Sequence, residues 1–245
     1  VSLLTAADPP AFTRVNPQGR SKTLLICDHA SNRIPLQLGT LGLTPVDLES
    51  HIAWDPGAAA VARCLSALLD APLLLSGYSR LVIDCNRPLA NPTSIPDTSA
   101  GIVIPGNQGL SAEQRRQRVD ELFTPYHRAI EETLETGAEQ FKLLLSIHSF
   151  TPILGDLSRP WVIGVASRQH RALAERLIQH LRHCDIGPVG DDQPYAIDEE
   201  QDYSLPVHGE SRGLPHAMIE IRQDGLREAA SAQHWAERLA ACAGT

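Results

Sequence analysis

Two rhythms of apolar and polar positions run along this chain of 245 residues. Short, nearly continuous aliphatic runs occupy Thr23–Cys27, Pro72–Ser76, Leu81–Cys85, Leu143–His148, Trp161–Ala166 and Ala217–Ile221. Runs of this length predict buried strands of a mostly parallel sheet. Between them, Ala58–Leu69, a charged stretch from Ser111 to near Phe141, Arg168–Arg182 and Glu228–Ala241 predict helices. Thr44 followed by Pro45 predicts the N-cap and first position of a short helix reaching His51. Ser111 is a candidate cap for the long helix. Strand and helix signals alternate, which places the chain in the α/β class. Pro88–Gly109 has little periodicity and is a candidate lid, and Asp191–Asp202 is an acidic loop.

Chemistry gathers at the ends of these runs. His29 directly follows the first strand, His148 ends another, Asp84-Cys-Asn-Arg87 closes a third, and Glu220 and Arg222 lie on the last. In open α/β sheets ligands bind outside the carboxyl ends of the strands. Neutral imidazole suits Zn²⁺, and a catalytic zinc takes three protein ligands and one open position. His29 and His148 are therefore candidate ligands for one zinc per chain. The third is Asp55, which is anionic, or Asn32, three residues after His29. Glu220, pointing from a strand into a desolvated site, is the candidate general base. Arg87, with Asn86 beside it, is suited to gripping a substrate carboxylate through paired hydrogen bonds. Arg80 is a second cation close in sequence. Arg222 is a candidate for binding substrate, steadying an oxyanion or neutralising Glu220, and His208 is a candidate substrate contact.

Composition narrows the partners. The length suits one domain over residues 1–245, and 42% hydrophobic residues suffice for a full core. A formal charge of −8 argues against a nucleic-acid partner. No apolar run is long enough for a membrane span, and the first twenty residues lack a signal-peptide pattern. Five cysteines, an odd count without close pairs, suggest no disulfide framework and fit a reducing cytoplasm. Cys27 and Cys85 read as small buried thiols. His127 reads as a helix-packing residue, and His170, His180 and His183 as solvated. The oligomeric state stays open.

Five segments together resemble the N-formylglutamate amidohydrolase family: Asp28-His-Ala-Ser-Asn-Arg-Ile-Pro35, His51-Ile-Ala-Trp-Asp-Pro-Gly57, Ser79-Arg-Leu-Val-Ile-Asp-Cys-Asn-Arg87, Ile147-His-Ser149 and His216-Ala-Met-Ile-Glu-Ile-Arg222. The resemblance spans nearly the whole chain. It implies a fold similar to the zinc exopeptidases and aspartoacylases, a three-layer α/β/α sandwich around a mixed sheet. In that wider group an Asn-Arg pair holds the substrate carboxylate and a glutamate on a late strand is the base, roles that match Asn86-Arg87 and Glu220. Its first metal motif is His-x-x-Glu, whereas Asn32 stands at the corresponding position here.

The expectation is a metal-dependent amidohydrolase that removes an N-acyl group, such as N-formyl, from an amino acid with an acidic side chain. The alternatives are a deacylating hydrolase acting on a larger substrate, and a non-catalytic protein that binds acidic ligands.

Overall fold

The computed structural model describes residues 2–226 and 228–243. Its main sheet contains β1 (Phe12–Val15), β2 (Thr23–Cys27), β3 (Leu73–Ser76), β4 (Leu143–Phe150), β5 (Ile163–Ala166), β6 (Val189–Asp191) and β7 (His216–Arg222). Their spatial order is β1-β3-β2-β4-β7-β5-β6. The central four, β3, β2, β4 and β7, run parallel. β1 closes one edge antiparallel to β3, and the parallel pair β5 and β6 closes the other, with β5 antiparallel to β7. The expected mostly parallel mixed sheet is therefore present. The edge strands β1 and β6 have no counterpart in the hydrophobic pattern, because an edge strand needs only one apolar face and these are very short.

Strand parity sorts the core into layers. Leu25, Cys27, Leu145, Ile147, Ala217, Ile219 and Ile221 face one side, against α2 (Ala58–Leu69), α5 (Arg171–His183) and α7 (Ala229–Ala243). Leu24, Ile26, Leu144 and Met218 face the other, against α4 (Thr124–Thr136) and α6 (Ser204–His208). The same parity continued toward the carboxyl ends carries Asp28, Ser146, His148 and Glu220 to the α4/α6 side. Aliphatic packing gives way there to a patch of buried polar groups.

Several local expectations are met. Thr44 caps α1 (Pro45–Glu49) with a full capping box, and Ser111 caps α3 (Ala112–Arg118) in the same way. Gly57, at φ 85°, starts α2 in the left-handed region, where a Cβ would also lie 2.5 Å from Leu226. That turn holds Asp55 at the head of the helix, with its N–H donating to the His29 carbonyl at 3.0 Å. Cys27 and Cys85 are buried free thiols. No helix among the described residues is long and apolar enough to cross a membrane.

Three expectations are corrected. Leu81–Cys85 is not a strand but a buried series of turns. Its carbonyls are satisfied by side chains instead of a neighbouring strand: Asn107 Nδ2 donates to Leu81 at 2.8 Å, and the buried Arg118 Nη1 donates to Val82 at 2.9 Å. The long helix is divided into α3, a wider π turn over Val119–Phe123, and α4. Pro125 has no N–H to give the Glu121 carbonyl, and the wider turn accommodates that loss. Pro88–Gly109 is not a lid: Ile95 and Ile104 pack it onto a separate apolar cluster with Leu81, Val82, Leu122 and Phe123.

Candidate active site

At the carboxyl ends of β2, β4 and β7 lies a cavity of about 420 Å³. His29, Asp55, His148, Glu220, Arg80, Asn86 and Arg87 all line it, together with His51, Tyr195, Asp198 and Asp202. Seven of the ten sequence candidates thus meet in one place.

The centre is a convergence of His29, Asp55 and His148, whose ligand atoms lie within 4.8 Å of one another. Asp55 Oδ2 is 3.3 Å from His29 Nδ1 and 2.9 Å from His148 Nδ1, and it accepts the Ser149 N–H at 3.3 Å. Each ring also has a partner behind it. His29 Nε2 is 2.7 Å from Asp84 Oδ1. His148 Nε2 is 2.8 Å from Ser146 Oγ and 3.3 Å from Asp28 Oδ2.

This donor set fits a divalent cation. A neutral imidazole donates from one nitrogen only. With Nε2–H given to the outer acid or hydroxyl, Nδ1 turns a lone pair toward an Asp55 oxygen that is itself a lone-pair donor. A proton or a metal ion between them resolves that repulsion. The outer carboxylates also fix tautomer and ring orientation, as carboxylate–histidine pairs do around zinc.

The electrostatics agree with this geometry. Burial and the Arg80 guanidinium oppose charge on His29, yet Asp84 and Asp55 outweigh them and raise its pKa. At His148 burial is likewise overcome by Asp28 and Asp55, and the pKa lies well above the ordinary value. Burial alone would raise Asp28, but bonds and charge from His148 and His29 and the Ser204 hydroxyl hold its carboxyl well below the usual range. Asp28 Oδ1 also accepts from Tyr126 Oη at 2.9 Å and Ser204 Oγ at 2.7 Å.

Glu220 stands beside His148 in the β7–β4 register and is 6% exposed. Its Oε2 is buried, with no hydrogen-bond partner among the described residues. Burial, with His148 lowering and Asp55 raising, pushes its pKa up to about 7. A carboxyl poised there can take and return a proton near neutral pH.

The arginines differ in how far they are already paired. Arg80 Nη2 is 2.7 Å from Asp84 Oδ2, and Nη1 is 3.6 Å from Asp55 Oδ1. Arg87 donates to the Gln201 carbonyl and lies 3.9 Å from Asp202 Oδ1. Asn86 Nδ2 donates to Asp202 at 2.8 Å, and its Oδ1 accepts the Tyr203 and Ser204 N–H groups. Asn86 therefore ties the acidic 198–204 segment to the cavity wall.

Three candidates sit elsewhere. Asn32 Nδ2 donates to the Leu48 carbonyl at 3.0 Å and to Glu49 Oε1 at 3.2 Å, turned toward α1. Arg222 pairs with Asp224 at 2.8 Å and donates to the Arg159 and Pro160 carbonyls, off the cavity wall. His208 is buried in α6 and bonded to His127, Nε2 to Nδ1 at 2.9 Å. The acids behind the histidines, Asp28 and Asp84, were present in the sequence motifs without an assigned role. Ser146 was readable two residues before His148 on the same strand face.

The profile of the N-formylglutamate amidohydrolase family matches residues 21–227. Comparison with curated proteins gives no match. Among solved structures, a gene product of Agrobacterium tumefaciens is 35% identical, with a TM-score of 0.94 over 99% of this chain and 96% of that one. N-formylglutamate amidohydrolase from Ralstonia eutropha has a TM-score of 0.70 at 17% identity, over 96% of each chain. At that identity the second likeness speaks to the fold alone.

Proposed function

We propose that this chain, which belongs to the N-formylglutamate amidohydrolase family, hydrolyses the amide bond of a small N-acyl amino acid with an acidic side chain, N-formylglutamate being the first substrate to try. One observation carries the reading. A His-Asp-His cluster fit for a divalent ion and a buried glutamate with a free carboxyl oxygen face the same small cavity. A volume of about 420 Å³ suits a compact ligand.

His29, His148 and Asp55 would hold the metal, which we take to be zinc. When bound, such an ion supplies Lewis-acid polarisation of the amide carbonyl and a lowered pKa for water. Glu220 Oε2 accepts the proton of the attacking water as its oxygen bonds to the acyl carbon. The same carboxyl returns that proton to the nitrogen as the C–N bond breaks, leaving a carboxylic acid and a free amine. Arg87 grips a substrate carboxylate with the guanidinium nitrogens not used on Gln201. Arg80, paired to two aspartates, steadies those acids and adds positive potential beside the reacting carbonyl.

The test is a panel of N-formyl and N-acetyl amino acids assayed for released acid and amine with zinc-supplemented protein. Release from N-formylglutamate, abolished in Glu220→Gln, supports the reading. No release from any member of the panel overturns it.

A further inference from the structure

The positive charges around the cavity are not equally free. Arg80 faces two aspartates, and Arg87 faces Asp202 and a carbonyl. Arg159 is different. It is 8% exposed, and among the described residues no carboxylate lies within ion-pair distance of its guanidinium. Its company is aromatic and neutral: the guanidinium lies 4.7 Å from the Tyr195 ring centroid and 5.9 Å from that of Phe150. Both rings line the cavity. A buried cation without an acid is costly unless something else neutralises it.

Two further features point the same way. Arg159 Nη1 donates to Tyr195 Oη at 2.8 Å, so the hydroxyl uses a lone pair on the cation and its own proton is free to donate. A phenol polarised by a guanidinium is a strengthened donor. Nearby, His51 lines the cavity with its Nε2 buried and, among the described residues, unpartnered, within the electrostatic reach of Arg159. The wall is also built into the fold. A Cβ on Gly164 of β5 would lie 1.7 Å from the Gln193 carbonyl oxygen, so only glycine lets the segment carrying Tyr195 cross the strand this closely.

We propose that Tyr195, His51 and Arg159 form a second anion subsite, which takes the carboxylate of a dicarboxylic ligand that Arg87 does not hold. Tyr195 and His51 touch the ligand, and Arg159 acts as a positioning residue through the Tyr195 hydroxyl. The subsite deepens the proposed amidohydrolase reading and rests on it for the identity of the substrate. It makes the cavity selective for two carboxylates over one.

Calorimetry with glutarate and butyrate as probes tests the subsite without turnover. Wild-type protein is expected to bind glutarate at least tenfold more tightly than butyrate, as a hydrogen bond to a charged group commonly contributes. Tyr195→Phe, which removes one oxygen from a residue 41% exposed, should erase most of that preference. Arg159→Gln should do the same, and Arg159→Lys should restore part of it. In kinetics, Tyr195→Phe should raise KM for N-formylglutamate relative to N-formylnorvaline more than it changes kcat. Equal loss on both probes, or an unchanged preference in Tyr195→Phe, overturns the subsite. A protein that hydrolyses nothing yet shows the glutarate preference and its loss in Tyr195→Phe keeps the subsite and removes the amidohydrolase reading.

Discussion

Replacing Asp84 by Asn separates the support of His29 from its ligation. The Asp84 carboxylate serves three donors: His29 Nε2 at 2.7 Å, Arg80 Nη2 at 2.7 Å and the Asn86 N–H at 2.9 Å. Asparagine keeps one acceptor oxygen. If that oxygen stays with His29 and Asn86, the new NH₂ faces the Arg80 guanidinium and two donors oppose each other. Breaking a buried ion pair outright costs about 3–5 kcal/mol. Here Arg80 keeps Asp55 at 3.6 Å and is partly solvated, so the lower cost of one lost charged hydrogen bond, about 1–3 kcal/mol, is the better guide. For a domain of this size that corresponds to a Tm lowered by about 2–12 °C. The larger functional effect falls on the metal. Loss of a carboxylate behind a ligating histidine typically weakens metal binding by about 10–100-fold, whereas Asn32→Ala should leave it unchanged because the Asn32 amide is turned to α1, donating to Leu48 and Glu49. Zinc affinity by competition with a chromophoric chelator, and Tm by calorimetry, read the two effects separately. A folded Asp84→Asn variant that binds zinc as tightly as the wild type would refute the reasoning, as would Asn32→Ala being the weaker binder.

Other outcomes follow from the same geometry. Glu220→Gln should lower kcat by about 10²–10⁴ while zinc stays bound, since the glutamate is outside the His-Asp-His cluster; near-normal turnover would place the base elsewhere. Arg87→Ala should mainly raise KM for substrates with a free carboxylate, and esterifying that carboxylate should hurt the wild type more than the variant. An undiminished preference for the free acid in Arg87→Ala would remove it as the anchor. Acid should destabilise the fold through the His127–His208 pair. Burial holds His127 at about 4 and, together with the His127 and Arg212 charges, His208 at about 3. Both stay neutral when folded while the unfolded chain binds protons below about pH 6.5. Stability is therefore complete above that pH and falls by about 2 kcal/mol per histidine on going to pH 5. His208→Gln should flatten the fall in urea denaturation, and a parallel pH dependence in variant and wild type would contradict this.

The strands that hold the site were legible in the sequence because burial on both faces leaves a continuous aliphatic signature. His29, His148 and Glu220 could be placed at sheet ends from that signature alone. Leu81–Ile83 carries the same signature but packs beneath a loop, where composition does not distinguish a strand from a buried turn. Its carbonyls find Asn107 and Arg118, and those contacts span 26 and 36 residues of sequence. Distance in sequence also hid the acids behind the histidines: Asp84 meets His29 across 55 positions, and Asp28 meets Ser146 across 118. Spacing alone offers Asn32 as an alternative to Asp55, whereas the turn after His29 carries it toward α1. Tyr195 and Arg159 come from loops, whose sequence has no periodicity from which to infer direction.

The central claim is that one metal ion sits among His29, His148 and Asp55 beside Glu220. Anomalous diffraction at the zinc absorption edge, from crystals of protein purified without chelator and grown with zinc, tests it directly. A single strong peak is expected among His29 Nδ1, His148 Nδ1 and Asp55, lost in a folded His148→Ala variant. No peak there, or coordination through the Nε2 atoms that face Asp84 and Ser146, would contradict it.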